Sequence, residues 1–449
     1  MYNTITIEEL GTPAVALCNS GFVMDARSAA SGKGMPKIRV VSESVPCECS
    51  ITEEIDLEVT AVMDDIVSAL TQPLTAEETS TKKELERPSR IAFKGDIEEV
   101  NAFFYKRGWT DGLPIIPPTE EAVAKMLEGT DLPPDHVVTK IIPRLGKATV
   151  EKIAVNAVMA GALPTYMPLL IAGVQALMDP DAAFRTWEVS TGSWAPCWFV
   201  NGPIRHDLLI NCGSGALSPG DMANAAIGRA IGLIIKNIGG ARKGVEDMGV
   251  LGNPGKYSLM LGEYEEESPW EPLHVERGFN REDSTVTLFF PNTYNQTMIY
   301  GTDAKGILST IIYNINPGRS PEGLACFLII PGHAKNLARE GWTKEDVKKY
   351  ISENATAPFY RHPMYQGDFW GRDTPQQQPL SPHDPIRLMR IVDSIMIMVA
   401  GGPGAFTGIL RGSGGMFGNS FVTKKIELPA NWDNLVEKYR GMKPTYALY

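Results

Sequence analysis

The segment from Ala154 to Met178 carries no charged residue, and this limits the folds open to the chain. Its length would allow one helix to span a bilayer. Pro164 and Pro168 interrupt such a helix, however, because proline removes a backbone donor and clashes with the preceding turn. We therefore predict two short helices buried in a protein core, and no membrane partner.

The composition of the chain is typical of a soluble globular protein, with 449 residues of which 43% are hydrophobic and 21% are charged. This length predicts two or three domains. A net charge of -11 without a basic stripe argues against nucleic acid as a partner. The six cysteines form no CxxC pair, and no secretory leader is visible, which favours a reducing cytoplasm.

The N-terminal part alternates between strand and helix patterns. Short apolar runs at 13–18 and 37–41 predict strands, while 21–30 and 53–70 predict helices. This order is typical of parallel strands. Two strands alone make a marginal sheet, and residues 1–12 are too short to supply another strand and helix. We therefore expect this unit to join another element through its open strand edge.

Residues 73–95 are polar and rich in Thr, Glu and Lys, as linkers often are. They separate a truncated α/β domain, residues 1–72, from a large α+β domain, residues 96–449. The predicted fold is a small parallel α/β domain, half of a flavodoxin-like fold, packed on the larger mixed domain.

Three segments of the large domain have clear local signals. The sequence "DLLINC" (207–212) predicts a strand, and a glycine-rich loop connects it to a helix that starts at Ser218 and Pro219. Such a junction can hold an anion. The sequence "SIMIMVAGG" (394–402) predicts another strand. Thr343 is expected to cap the helix "KEDVKKYISEN".

The segment "SPWEPLHVERGF" contains His274, Glu276 and Arg277. In an extended conformation, His274 and Glu276 would point to one face and Arg277 to the other. The pair could be a base with its orienting carboxylate, or two metal ligands. Alternatively, both side chains tie down a loop made rigid by two prolines.

Glu188 lies near three tryptophans in "TWEVSTGSWAPCWFVNGPIR", with Asn201 and Arg205 further along. Burial beside the indole rings would raise the pKa of Glu188, as a general acid or base requires. The alternative is an aromatic core patch with an exposed glutamate. Asn201 is expected to lie in a turn.

Cys212 follows the predicted strand just before a helix start, where a thiol ionises more easily and can act as a nucleophile. Most free cysteines are instead buried and inert. Lys256 and Tyr257 follow a Pro-Gly turn and could face an anionic substrate, although ordinary surface roles fit equally well. His333 lies near a predicted helix start, which favours a neutral imidazole. The "PCEC" motif is a weak metal or redox signal.

Several familiar motifs are missing from the sequence: a Walker loop, HExxH, GxSxG, and a GxGxxG between a strand and a helix. No nucleotide cofactor is therefore predicted.

Two sets of segments resemble a known family. "LGTPAVALCNSGFVMDARSAASGKGMPKIRVV" and "MDDIVSALTQPLTAEE" resemble the C-terminal part of the UGSC-type (seleno)protein domain, named for a selenocysteine or cysteine followed by Gly-Ser-Cys. "WTDGLPIIPPTEEAVAKML", "SPWEPLHVERGF" and "PGHAKNLAREGWTKEDVKKYI" resemble a large, poorly characterised domain associated with it. The chain begins downstream of the place where the naming motif would stand. The resemblance thus implies a small partner subunit that supplies the motif and the missing strand, and an oligomeric assembly.

Three functions follow as hypotheses. The first is a cytoplasmic enzyme subunit that cleaves or reduces a carbon–heteroatom bond of a small anionic molecule, with the partner's thiol or selenol. Its candidate residues are Glu188 and His274 for proton transfer, Glu276 to orient His274, Cys212 as a further thiol, and Asn201, Arg205, Lys256, Tyr257 and Arg277 for substrate. The second is a metal-dependent hydrolase, hydratase or lyase whose divalent ion is held by His274, Glu276 and His333 or His206. The third is a non-catalytic binding subunit.

Overall fold

The computed structural model describes residues 1–45, 50–76, 78, 89–317, 323–361, 381–412 and 420–443. The N-terminal unit has two parallel strands, as predicted, with Ala16 opposite Val40. The helix expected over 53–70 is divided in two, because the backbone at Val62 leaves the helical conformation (ψ 2°). The elements of this unit are α1 (Tyr2–Glu9), β1 (Ala16–Asn19), α2 (Val23–Gly32), β2 (Val40–Glu43), α3 (Thr52–Ala61) and α4 (Met63–Thr71).

The following part of the chain is mixed. It contains α5 (Ile97–Lys106), α6 (Glu120–Leu127), β3 (Val137–Ile141), β4 (Gly146–Thr149), α7 (Val150–Ala160), α8 (Met167–Leu177), α9 (Phe184–Trp187), β5 (Cys197–Asn201), α10 (Ile204–Asp207), α11 (Met222–Ile234), β6 (Met260–Gly262), α12 (Leu273–Glu276) and β7 (Thr285–Phe289).

The remaining elements complete a mixed α and β fold, which confirms the predicted fold class. They are β8 (Pro291–Met298), α13 (Ala304–Tyr313), β9 (Ala325–Ile329), α14 (Pro331–Arg339), α15 (Lys344–Asn354), β10 (Thr356–Pro358), β11 (Pro385–Arg387), β12 (Ile395–Val399), β13 (Phe406–Gly412), β14 (Val422–Lys425) and α16 (Trp432–Tyr439).

The uncharged segment forms two short buried helices, α7 and α8, as predicted. Thr149 caps α7, and Pro168 lies in the first turn of α8, where its missing N–H costs nothing. Every residue of α8 except Gln175 is buried. In the part of the chain that the structure describes, each helix is too short or too polar to cross a membrane.

Two four-stranded sheets form the centre of the molecule. The first sheet has the order β14-β7-β5-β6, and the second has the order β12-β9-β13-β8. In each sheet one edge strand pairs in parallel with its neighbour, β6 with β5 and β12 with β9, and the other pairs are antiparallel.

The sheets and helices pack in four layers. On β5, Trp198 contacts the core formed with α7, α8 and α11, whereas Phe199 faces the second sheet. On β9, Leu328 faces the first sheet, whereas Phe327 contacts the core formed with α13, α14 and α15. Because side chains alternate along a strand, each sheet packs against helices on one face and against the other sheet on the opposite face.

The two sheets share a hydrogen-bond pattern at the end of the parallel pair. The Glu263 N–H donates to the Val200 carbonyl at 3.1 Å, and the Ala400 N–H donates to the Ile329 carbonyl at the same distance. The carboxyl ends of β5, β6, β9 and β12 lie together, because the Tyr264 N–H donates to the Val399 carbonyl, at the end of β12, at 2.8 Å. Ligand sites in sheets with parallel strands often lie at such an edge.

The strand predicted at 207–212 is wrong. The chain there leaves α10 and turns at Leu209, which has a left-handed backbone (φ 58°) that no strand accommodates. The helix predicted to start at Ser218 begins instead at Met222, after Asp221. The strand at 394–402 and the helix capped by Thr343 are confirmed, the latter with the expected capping box to Asp346.

Candidate functional site

The candidate site is a buried polar cluster at the carboxyl ends of β5 and β6. Asn201 ends β5 and Glu263 follows β6, and both are fully buried. The Asn201 amide donates to Glu263 Oε2 at 2.6 Å and to Glu265 Oε1 at 3.0 Å. Lys344 Nζ lies 3.2 Å from Glu263 Oε1, and the Leu273 N–H donates to Oε2 at 2.6 Å. The Glu263 charge is therefore compensated inside the fold.

Arg205 connects the cluster to the loop after β6. Its Nε lies 3.0 Å from Glu265 Oε1, and its NH1 donates to the Glu263 carbonyl at 2.6 Å. Its NH2 donates to Glu266 Oε1 at 2.9 Å. Arg205 is only 3% exposed, so its guanidinium mainly holds these carboxylates in place.

A histidine oriented by a carboxylate extends from this cluster towards solvent. His206 Nε2 lies 2.8 Å from Glu266 Oε1, and the His206 side chain is 65% exposed. Burial raises the pKa of Glu266, but hydrogen bonds from Arg205 and His206 outweigh it and bring that pKa to about 2. An ionised carboxylate accepts a hydrogen, so Nε2 carries the ring hydrogen of the neutral imidazole and Nδ1 keeps its lone pair.

A cavity of about 530 Å³ opens beside His206. Arg205, Asn211, Asp221 and Lys443 supply its other polar lining, and Tyr166, Leu208, Leu209, Ile210, Met222, Ala223 and Met442 supply the rest. The cavity thus combines an exposed imidazole, charged groups and an apolar wall, as small-molecule sites commonly do.

His274 lies in the wall of the cluster and is fully buried. Its Nε2 is 3.2 Å from the Arg281 carbonyl, and its Nδ1 has no hydrogen-bond partner among the described residues, with Glu265 Oε1 at 3.9 Å. The extended conformation considered for this segment is wrong, since residues 273–276 form α12.

Glu276 does not orient His274. Residues two apart on a helix do not face each other, and Glu276 pairs instead with Lys344, at 3.4 Å, and with Lys348. A histidine paired with a carboxylate is found instead at His206 and Glu266, a pair that the sequence had not indicated.

The predicted metal ligands do not come together. Within the described ranges, no group of three or more His, Cys, Asp and Glu side chains is arranged to hold a metal ion, so His274, Glu276 and His333 form no such site. His333 lies near the start of α14, as expected, and burial lowers its pKa. Arg277 donates to the Phe421 carbonyl.

Cys212 lies beside the cluster, but not in the environment expected for it. A Cβ placed on Gly262 would be 3.4 Å from the Cys212 Cβ and 3.2 Å from the Arg205 Cδ. Burial raises the pKa of the thiol, and Arg205 opposes the shift only in part. The prediction of a thiol activated by an adjacent helix start is therefore wrong, because that helix begins at Met222. The "PCEC" cysteines, Cys47 and Cys49, lie outside the described residues.

The acidic loop itself was not among the predicted site segments. Four glutamates follow β6 within "GEYEEES", at positions 263, 265, 266 and 267. A dense acidic run after a short apolar strand was a usable signal, but its cationic partners, Arg205 and Lys344, are about 60 to 80 residues away in the sequence.

Comparison with known proteins finds a matching family for the N-terminal unit. The UGSC family matches residues 1–72. This UGSC-like region is the one with the two parallel strands, and no family covers the rest of the chain. No curated protein and no solved structure matches the chain.

The UGSC-like region packs on the large part of the chain through α2. The Ser28 hydroxyl donates to the fully buried Glu246. At Gly32 the backbones approach closely, since a Cβ there would lie 3.2 Å from the Arg144 Cα. Burial and the Glu246 charge raise the pKa of the nearby Asp25 to about 6. We call this contact region the seam.

Glu188 belongs to the seam. It is 6% exposed, and neither carboxylate oxygen has a partner among the described residues. Burial, followed by the charges of Asp247 and Glu246, raises its pKa well above the ordinary value, which agrees with the first of the two alternatives for this residue and not with an exposed glutamate. Lys256 Nζ lies 2.6 Å from both oxygens of Asp247, so its charge is compensated within the protein. Tyr257 is 53% exposed.

Proposed function

We propose that the chain is a subunit of a cytoplasmic enzyme that acts on a small anionic molecule in the cavity beside His206. The pairing of His206 with Glu266 carries the proposal, because it presents an imidazole, oriented by a carboxylate, to a cavity large enough for a small ligand. An imidazole oriented in this way is suited to proton transfer.

The proposed chemistry is cleavage or reduction of a carbon–heteroatom bond. The thiol or selenol pair of a Cys/Sec-Gly-Ser-Cys motif, on a partner subunit, would supply two electrons and become a disulfide or selenenylsulfide. The pair also releases two protons, one for the carbon and one for the leaving group. His206 Nδ1 first accepts one of these protons through its lone pair and then delivers it. The match of residues 1–72 to the UGSC family supports the choice of this partner.

The first test is purification of the tagged full chain from its native host, followed by mass spectrometry of co-purifying subunits. We expect a small subunit with the Cys/Sec-Gly-Ser-Cys motif. The complex is then incubated with short organic acids that carry amino, hydroxyl or halogen leaving groups. Oxidation of the motif is followed by iodoacetamide labelling.

His206→Gln should slow this oxidation by about 10² to 10⁴-fold, as expected for loss of a general acid or base. His136→Gln, an exposed histidine that does not line the cavity, is the matched control. Unchanged oxidation in His206→Gln would contradict the role of His206. Loss of activity in Cys212→Ser with an intact partner motif would place the reactive thiol in this chain instead.

A further inference from the structure

We propose that the cavity beside His206 binds a zwitterion, a small molecule with both a carboxylate and an ammonium group, of the α-amino acid type. The inference rests on the proposed function, since it assigns the ligand of the same cavity. It comes from charged groups of opposite sign in the cavity lining.

Lys443 is the group suited to the carboxylate of the ligand. It lines the cavity together with Arg205. The Arg205 guanidinium is held by Glu265 and Glu266, which leaves Lys443 as the more available cation of the two. An ammonium with three rotatable donors can follow carboxylates of different ligands.

Asp221 is the group suited to the ammonium. It is the N-cap residue of α11, yet its side chain makes no capping hydrogen bond to that helix. Aspartate is favoured at this position because it normally accepts such a bond. Here Oδ2 accepts from the Asn211 amide at 2.8 Å, and Asp221 lines the cavity. The stabilising cap is thus absent, and the carboxylate is held by another residue of the cavity wall instead.

The remaining wall suits an apolar side chain. Tyr166, Leu208, Met222 and Met442 line the cavity next to the charged groups. His206 Nδ1, with its lone pair, can accept a hydrogen from the ammonium group. A zwitterion with an apolar substituent therefore satisfies each kind of lining group.

The test is isothermal titration of the full chain, together with any partner that co-purifies. The probes are phenylalanine, 3-phenylpropionate, which lacks the ammonium, and 2-phenylethylamine, which lacks the carboxylate. Alanine, propionate and ethylamine form a smaller matched set. We expect each amino acid to bind at least about tenfold more tightly than its two counterparts, the ratio that one additional charged contact typically gives.

Asp221→Asn should remove the preference for the amino acid over the acid, because Asn keeps an oxygen for the Asn211 contact but loses the charge. Asp433→Asn, an exposed residue on α16 that does not line the cavity, should change nothing.

Equal affinity for phenylalanine and 3-phenylpropionate would overturn the proposal of a zwitterionic ligand and leave the proposed anion site intact. An unchanged ratio of these two affinities in Asp221→Asn would have the same meaning. If the amines bind and a carboxylate on the ligand has no effect on affinity, both the zwitterion proposal and the proposed anion site would be overturned.

Discussion

Glu263 and Glu188 are both buried glutamates, but their surroundings differ: donors and a cation surround the first, and other carboxylates lie near the second. Glu263 accepts hydrogen bonds from Asn201 and Leu273 and pairs with Lys344. Glu188 has no partner for either oxygen among the described residues, and other carboxylates surround it. Similar burial therefore has unequal consequences: hydrogen bonds and Lys344 fix the Glu263 carboxyl group in place, whereas the fold opposes ionisation of Glu188.

Removal of Glu263 should have the largest effect. Glu263→Ala removes the acceptor of the Asn201 amide and the Leu273 N–H and leaves the buried Lys344 with Glu276 as its remaining carboxylate. Each buried donor left unsatisfied costs about 1–3 kcal/mol, so we expect a loss of about 3 kcal/mol of unfolding free energy. Urea denaturation measures the change. Glu271→Ala is the control, because Glu271 pairs with Arg281 at the surface and should cost about 0–1 kcal/mol. Similar losses in both variants would refute the contrast between the two glutamates.

Neutralisation of Glu188 should have an intermediate effect on stability, opposite in sign to the effect of Glu263→Ala. Glu188→Gln is expected to stabilise the protein by about 1 kcal/mol at neutral pH, because Gln carries no charge that burial and the neighbouring carboxylates oppose, and one pKa unit corresponds to about 1.4 kcal/mol. The folded-state pKa is raised, so the cost of ionisation is absent below the ordinary value of 4.5 and grows as pH rises.

Thermal unfolding of Glu188→Gln and the unmodified protein over a pH series measures this difference. The gain in stability should vanish in acid and widen towards alkaline pH. Asp25, Glu246, Asp247 and Lys256 are present in both proteins, so their titration contributes similarly to both curves. A constant gap at all pH values would show that the Glu188 charge is not the cause.

Neutralisation of Glu266 should have the smallest effect on stability of the three changes. Its folded-state pKa is lowered to about 2, so it contributes stability above the ordinary value of 4.5 and loses it as pH falls towards 2. Since the side chain is 47% exposed, Glu266→Gln should cost only about 0–1 kcal/mol at neutral pH. The two unfolding curves should converge in acid, as for Glu188→Gln, but at neutral pH the Glu266 variant should be the less stable protein, the opposite sign to the Glu188 result. Divergence in acid would contradict the assigned charge state.

Local sequence patterns predicted the helices better than the site. The prolines of the uncharged segment and the cap at Thr343 act within a few residues, so α7, α8 and α15 could be predicted. The contacts of Glu263 with Asn201 and Lys344 depend on how distant strands and helices meet, which no local pattern specifies.

The two sheets show why the strand pattern alone does not reveal the site. They have the same arrangement of parallel and antiparallel pairs, yet the residue after the edge strand is Glu263 in one and Ala400 in the other. Likewise, Asn201 after Val200 corresponds to Ile330 after Ile329. Apolar alternation predicts the strands, whereas the polar cluster depends on single residues beyond their ends.

The position of β14 in the first sheet also affects how the protein is made on the ribosome. The strands of the second sheet follow one another between Pro291 and Gly412, so this sheet can assemble once that stretch has emerged. The first sheet gains its edge strand only with Val422–Lys425. Domains commonly fold in the order of synthesis. Here, the sheet that begins first is completed last, so we expect the first sheet to be complete only after all strands of the second sheet have emerged.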